Sequence, residues 1–496
     1  MDQYLLGIDV GTTGTKTLLF ATDGKLLGRA YRPYALHTPK VGYSEQDPHD
    51  WWNAVVETVR EVCADADIAQ KVAAISLSLQ GGTLAPVDAT GEPVRPAIVW
   101  NDARCEKQMA AFLEEVGPAS LMYEKTGWEL EGALPAMEIR WLRENEPENF
   151  AKTAMFLSVP DYIALKMTGI PAIDLSDMGI NQLGDIRKGC YDPKLLGFVG
   201  ITEKQLPKIL YSGEVIGKLT PEAAEQLGIN PEAVLVAGAH DQYAVALGAG
   251  ATKGGDILIG SGTSWVVTAI GEEPAFETGL SQSVAAVPGK WGSLMSLSSG
   301  GVCLEWWRRS LTVSDDGSQI DYDRINREAA ARTAAEDGLF FFPFSGLAGD
   351  KVQFQRGSFV GMDLSHDRFH LIRAIMEGVA FQVVWMMEAF QTKPSQEGLI
   401  LAGGASRSEL WCQMVADISG LPVRIPEVAD LACVGAAVLA GTGCGIYRNV
   451  EEGYRRLAVR ERKILPDPEK TKMYQDLFAS YKRYAAALGG AYACEQ

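Results

Sequence analysis

The feature that most constrains this chain is a unit that occurs twice, about half a chain apart. Residues 5–20 read LLGIDVGTTGTKTLLF, and residues 256–270 read DILIGSGTSWVVTAI. Each is an apolar run, a tip rich in glycine and hydroxyl side chains, and a second apolar run. Such spacing predicts two strands around a tight polar tip. A unit this long, met twice, predicts two related lobes. The boundary falls near 244–253, where ALGAGATKGG is small and flexible. The 496 residues thus divide into lobes 1–245 and 246–496.

The tips carry a chemical expectation. Glycine permits unusual dihedrals and leaves room for a ligand, so backbone N–H groups converge on one point. Threonine hydroxyls add hydrogen bonds, and the combination suits phosphate oxygens. Asp9, at the end of the first strand, is a hard oxygen donor suited to Mg2+, directly or through water. Lys16 is placed to reach a phosphate as a point charge. Taken alone, Gly11 to Gly14 is equally well a plain hairpin turn; the second tip at Gly260–Ser264 favours a two-jawed phosphate clasp. The chain lacks the G-x-x-x-x-G-K-[ST] loop, and its first tip leads into a strand rather than a helix. Neither a Walker A loop nor a dinucleotide-binding fingerprint is present.

Around the tips the chain alternates strands and helices, which predicts an α/β fold. Strands are expected at 4–10, 16–21 and 26–34, with a turn at Asp23-Gly24. A helix follows over 47–66, capped by Asp47 or Asp50, then a buried strand 71–79 that stops at Gln80-Gly81-Gly82-Thr83. Another strand is expected over 96–104. Residues 104–230 are rich in helices and loops. At 234–251 a strand delivers His240-Asp241-Gln242 to a tip that opens a small-residue helix. Later come a helix after Gly300-Gly301, a long helix over 366–391, a strand–Gly turn–helix over 398–420 and a small-residue helix over 434–445.

Asp241 is a candidate general base for phosphoryl transfer, or else a helix N-cap. His240 reads as a structural support of the same loop. Gly403-Gly404 is either an approach point for a base or ribose or a tight strand-to-helix turn. Trp306-Trp307 and Phe340–Phe344 read as core.

Composition narrows the partners. With 45 basic and 63 acidic residues the net charge is −18, without a basic block, which argues against nucleic acid and anionic membranes. Anionic small ligands remain compatible, because backbone N–H groups bind phosphate on acidic proteins. The eight cysteines form no C-x-x-C pair and read as reduced thiols of a cytoplasmic protein. No signal peptide and no uninterrupted apolar run long enough to span a membrane is read in the chain.

The order of these motifs, from DVGTTGTK to VGAAVLAG, resembles the FGGY family of carbohydrate kinases over essentially the whole chain. YSEQDPHDWW and RPAIVWNDARC resemble its xylulokinase branch most closely. The resemblance implies two ribonuclease H-like lobes of the actin/hexokinase type, with ATP and sugar in the cleft between them. It implies an N-terminal lobe with the sugar site and first phosphate loop, and a nucleotide-binding C-terminal lobe. By resemblance Asp9 is the Mg2+-supporting aspartate, Gly11, Thr12 and Thr13 form the first phosphate loop, and Lys16 is its basic residue. Asp241 matches the catalytic base and Gln242 the adjacent sugar-contacting amide. Gly262 and Thr263 match the second phosphate loop, Gly301 and Glu305 nucleotide contacts, and Gly404 and Ser408 the adenosine site. Ser408 stands where asparagine is common in the family.

The sugar loop departs from the family. Xylulokinases usually carry Q-M-H-G where this chain has Gln80-Gly81-Gly82-Thr83, so two substrate-reading side chains are missing. Each lost hydrogen bond costs about 0.5–3 kcal/mol of recognition. Glu138 also replaces a family lysine. The expected reaction is transfer of the ATP γ-phosphoryl group to a primary hydroxyl, with D-xylulose the first substrate. Another ketose, erythritol, glycerol or gluconate are the alternatives. A non-catalytic sugar or nucleotide sensor and an actin- or chaperone-type ATPase are more distant ones. The expected partner is a small sugar or polyol, and the assembly entertained is a homodimer.

Overall fold

The structure is a computed structural model. It describes all residues except 1–2, 277–278, 311–318, 348–351, 355, 391, 429, 458–459 and 494–496. The N-terminal sheet has six strands: β1 (Tyr4–Val10), β2 (Gly14–Ala21), β3 (Leu26–Pro33), β4 (Val72–Leu79), β5 (Val215–Lys218) and β6 (Val234–His240), in the order β5-β6-β4-β1-β2-β3. β1–β2 and β2–β3 pair antiparallel, while β1–β4 and β4–β6 pair parallel. The second sheet has seven: β7 (Ile257–Ser261), β8 (Trp265–Gly271), β9 (Ser281–Val284), β10 (Trp291–Leu297), β11 (Leu399–Gly403), β12 (Val423–Pro426) and β13 (Glu461–Ile464), in the order β9-β10-β8-β7-β11-β12-β13. Again two antiparallel pairs precede two parallel ones. The repeated sequence unit is therefore the first hairpin of two sheets that share one topology.

β1 is apolar on both faces because both are covered. Leu6, Ile8 and Val10 pack with Trp51, Val55 and Val59 of α1 (Pro48–Val62). Asp47 caps α1, its carboxylate accepting from the His49 N–H at 2.9 Å, and Asp50 lies in the first turn. On the other face Leu5 packs with Val236, Ala440 and Tyr447. Ala440 belongs to a helix of the C-terminal half, α7 (Leu431–Gly443).

The remaining helices that build the site are α2 (Asp241–Gly248), α3 (Gly301–Ser310), α4 (Tyr322–Ala330), α5 (Arg368–Met387) and α6 (Glu409–Ser419). α2 follows the N-terminal sheet in sequence, yet its Ala246 packs with Leu258, Ile400 and Ala402 of the other sheet. Each sheet thus takes a helix from the opposite half of the chain. The two helices cross in close contact: a Cβ on Gly435 would lie 2.0 Å from the Ala244 carbonyl, and one on Gly248 1.9 Å from the Leu431 carbonyl. This explains their small-residue composition. Residue 245 lies inside α2.

The strand expected over 96–104 shortens to Ala97–Ile98, because the following residues turn away into loop. Trp306 is 38% exposed, whereas Trp307 and Phe340–Phe342 are core. α5 is long and apolar enough to cross a membrane, but 78% of its apolar window is buried among the lobe's own side chains, where it forms the core. The seven described cysteines are free thiols; Cys494 lies outside the described residues.

Candidate active site

Strand register places the first group of candidates side by side. Val10 is in register with Leu79, and Leu79 with His240. Gly11, Gln80 and Asp241 therefore leave three neighbouring parallel strands at one sheet edge, at a strand spacing of about 4.8 Å. In the second sheet Ser261 is in register with Gly403, which brings Gly262 and Gly404 together in the same way.

Asp9 sits across the hairpin from Lys16, whose Nζ is 3.7 Å from its Oδ2, and Ser78 Oγ donates to its Oδ1 at 3.0 Å. Burial raises the Asp9 carboxyl to about 6, against the pull of Lys16, and Asp241 adds to the rise. Lys16 also pairs with Asp430 at 3.6 Å, and Arg29 pairs with Asp430 at 2.8 Å. Asp430 precedes α7 with a φ of 61°, a strained conformation for a residue other than glycine. The sequence held no signal for Asp430 beyond its place before a small-residue helix.

The first tip is braced from below. Thr12 Oγ1 donates to Gln80 Oε1 at 2.8 Å, Gln80 Nε2 donates to Gln46 Oε1 at 3.0 Å, and Gln46 Nε2 donates to the Thr12 carbonyl at 2.6 Å. Trp100 Nε1 donates to Thr12 Oγ1 at 3.1 Å. Gln80 is buried, and its amide is committed to the tip. Tyr34 donates to the Gly11 carbonyl at 2.5 Å. Neither Gly11 nor Gly14 has a positive φ, so dihedral freedom is not what glycine supplies here. A Cβ on Gly14 would lie 2.5 Å from the Arg32 carbonyl, while one on Gly11 would meet only the Gly14 carbonyl at 3.6 Å. Glycine at 14 permits close packing, and at 11 it leaves the loop open above.

At the head of α2 the N-cap position is occupied by His240, not Asp241. Asp241 is the first helical residue, and its side chain is 40% exposed, with Oδ1 3.1 Å from His240 Nδ1. His240 is 5% exposed, and burial lowers its pKa, so the imidazole is neutral. Gln242, half-buried, follows on the same turn.

The space left by the two loop glycines is filled from elsewhere. A Cβ on Gly81 would lie 2.6 Å from Asp177 Oδ1, 2.6 Å from His240 Cδ2 and 2.8 Å from His240 Nε2. One on Gly82, at φ +70°, would meet Leu134 at 2.9 Å and Ile180 at 3.3 Å. Asp177 lies on the short helix Leu175–Met178, fully buried, and neither carboxylate oxygen has a hydrogen-bond partner. Burial raises its carboxyl well above the usual range, and Asp174, Asp161 and Asp241 raise it further. The indole N–H of Trp128, whose ring lies 5.9 Å from that of His240, is also buried without a partner. Glu138 is fully buried, and neither of its carboxylate oxygens has a hydrogen-bond partner; desolvation raises its pKa well above normal.

The second group lines a cavity of about 600 Å³ in the C-terminal lobe, bordered by Gly262, Thr263, Gly301, Glu305, Gly404 and Ser408. Tyr322, Asp323 and Asn326 of α4 complete its wall. Glu305 is held by Arg308, at 2.8 Å, and by Arg309, and it accepts from Tyr322 at 2.6 Å; the Arg308 contact leads in lowering its pKa to about 2. Ser408 caps α6 through the Trp411 N–H and donates to Asn326 Oδ1 at 2.7 Å. Asn326 of α4 thus brings an amide beside Ser408, and sequence reasoning overlooked this residue.

The donors fit a magnesium ion of limited protein ligation. Among the described residues no group of three histidine, cysteine, aspartate or glutamate side chains is placed to hold a metal ion. A single carboxylate such as Asp9 suits Mg2+, which keeps most of its waters and takes the rest of its ligands from phosphates.

Comparison with known proteins identifies the fold and the family. Residues 4–248 match the N-terminal domain, and residues 257–444 the C-terminal domain, of the FGGY family of carbohydrate kinases. The chain is 31% identical to the xylulose kinase of Bacillus subtilis, covering 97% of this chain and 96% of that one. It is 30% identical to the gluconokinase of the same organism, over 88% of this chain and 87% of the other. The crystal structure of xylulose kinase from Rhodospirillum rubrum superposes with a TM-score of 0.90 at 26% identity, over 99% of this chain and all of that one. A two-lobed fold, matched nearly end to end by sugar kinases, and the family match over both lobes make the chain a member of the FGGY family of carbohydrate kinases, an ATP-dependent sugar kinase.

Proposed function

We propose that this kinase phosphorylates a primary hydroxyl of an uncharged ketose, D-xylulose first, giving D-xylulose 5-phosphate. The observation that carries the reading is the likeness to xylulose kinases over nearly the whole chain, at 31% identity to that of Bacillus subtilis and a TM-score of 0.90 to that of Rhodospirillum rubrum. The 30% identity to a gluconokinase keeps gluconate as the second reading.

Asp241 accepts the proton of the attacking hydroxyl, its exposed carboxylate standing one strand from Gln80 and near Asp9. Gln242 contacts the sugar, and the loop Gln80-Gly81-Gly82, packed against Asp177, His240, Leu134 and Ile180, shapes the pocket. Gly11, Thr12, Thr13 and Lys16 take the phosphates from one side, and Gly262 and Thr263 from the other. Gly301, Glu305, Gly404 and Ser408 hold the nucleoside. Mg2+, supported by Asp9, supplies charge neutralisation on the phosphate oxygens. The division into lobes 1–245 and 246–496 follows these two roles. A coupled ADP-release screen over ketoses, polyols and aldonates tests the reading: kcat/KM highest for D-xylulose is expected, and a higher value for gluconate replaces it with the second.

A further inference from the structure

The cavity proposed for the nucleoside is walled by α3 and α4, and the hydrogen bonds along that wall decide which groups are left for a ligand. Glu305 of α3 has none left. Its Oε1 accepts from Arg308 Nη2 at 2.8 Å and from Arg309 Nε, and its Oε2 accepts from Arg308 Nε at 2.8 Å and from the Tyr322 hydroxyl at 2.6 Å. A carboxylate has about four acceptor sites and, when ionised, no donor, so Glu305 is saturated. Ser408 is committed too. Its one proton goes to Asn326 Oδ1 at 2.7 Å, and its oxygen accepts from the Trp411 N–H at 3.1 Å. Asn326 keeps its Nδ2 amide group, which has no partner among the described residues, on a half-buried side chain that borders the cavity. Tyr322 lies four residues earlier, on the same face of α4, and borders the cavity as well. Its hydroxyl is spent on Glu305 and the Arg308 guanidinium lies 5.2 Å from its ring centroid, yet the residue is 50% exposed.

We infer that α4 reads the nucleoside: Asn326 donates from Nδ2 to one of its acceptor atoms, and the Tyr322 ring packs against the base. Glu305 and Ser408 are positioning residues. Glu305 fixes the Tyr322 ring through its hydroxyl, and Ser408 ties down the Asn326 oxygen so that the N–H2 end is left for the ligand. An amide held in this way presents donors only, and a nucleoside supplies acceptors in its ring nitrogens and ribose oxygens. An aromatic face stacks on any base, because every base has a π-face. The wall therefore separates a nucleotide from a bare polyphosphate more sharply than it separates one base from another. This rests on the proposed placement of the nucleotide in the cavity, with Glu305 and Ser408 moved from direct contact to support.

The test measures binding of ADP and of pyrophosphate by titration calorimetry with Mg2+ present, together with kcat, KM for ATP and the melting temperature. The proteins are wild type, N326A, N326D, Y322L, E305A and the double variant E305A/Y322L. N326D keeps the acceptor for Ser408 and replaces only the donor, so it separates a reading amide from a structural one. Expected for N326A and N326D is a rise of about 2- to 10-fold in the Kd of ADP and the KM for ATP, and for Y322L a rise of about 5- to 100-fold. The loss falls on KM and not on kcat, and the Kd of pyrophosphate stays within about twofold of wild type, since the phosphates bind elsewhere. E305A should weaken ADP binding by itself and add less than about twofold once Tyr322 is leucine, because Glu305 acts through Tyr322. While wild type prefers ADP to pyrophosphate, N326D binding ADP as tightly as wild type, or E305A and Y322L adding in full, overturns the inference and leaves ATP use in place. Wild type binding ADP and pyrophosphate equally removes the nucleoside site and the inference with it.

Discussion

Replacing Gly81 with alanine adds a single methyl group where the structure has no room for one. The φ of Gly81 is not positive, so alanine meets no backbone penalty and the effect is one of space alone. The new Cβ would be 2.6 Å from both Asp177 Oδ1 and His240 Cδ2, against the 3.4 Å at which such contacts become ordinary. Both groups must therefore give by about 0.8 Å, and both are fixed. Asp177 is fully buried, and His240 is held between two aromatic rings next to Asp241. Overpacking of this kind costs about 1–3 kcal/mol of stability. A displacement near 1 Å at a catalytic group costs up to about 100-fold in rate. G81A should thus lower kcat by about 10- to 100-fold, with KM for ATP unchanged because the cavity proposed for the nucleotide lies in the other lobe. Steady-state ADP release and a thermal melt measure both effects. A variant with kcat within twofold of wild type and an unchanged melting temperature would refute the reasoning, since it would mean that Asp177 and His240 yield without consequence.

Three further outcomes are expected. D241N should lower kcat by about 100- to 10,000-fold, the range for loss of a general base, and near wild-type turnover would exclude that role. D9A should raise the Mg2+ concentration needed for half-maximal rate, and an unchanged metal titration would count against Asp9. The third concerns Asp161, which is buried and raised to about 7, chiefly by desolvation, although Ser158 donates to it from its N–H and Oγ. A folded pKa above the unfolded one means the native state binds the extra proton. Its contribution is therefore present below about pH 4 and is lost as pH rises toward 7. D161N should gain stability relative to wild type between pH 5 and pH 8 in urea denaturation, and a constant difference across that range would contradict the assignment.

The residues proposed for catalysis and phosphate binding could be picked out from the chain because they lie in short, local patterns. Asp9 and Gly11 to Lys16 occupy one hairpin, and Asp241 and Gln242 one strand end, so their chemistry depends on neighbours a few residues away. Both lobes followed from the repeated hairpin, and sheet register then set the tips together. The tip glycines differ from expectation in one respect: of the two expected reasons, dihedral freedom is not used, open space is found at Gly11, and close packing accounts for Gly14.

The pocket proposed for the sugar is different, because its composition depends on contacts between distant segments. Asp177 and His240 are 63 positions apart in sequence, and neither carries a pattern that points to Gly81. They meet there because α2 and the short helix before it converge on the end of β4. Asp430 reaches Lys16, and Asn326 reaches Ser408, by the same kind of long-range approach. By itself the amino-acid order determined the two lobes and the glycine-rich tips, and it singled out the candidate base, because those signals are local in the chain. Only the tertiary structure decided what stands over Gly81-Gly82, because a side chain buried by packing is chosen by the volume and charge around it and not by its neighbours in sequence.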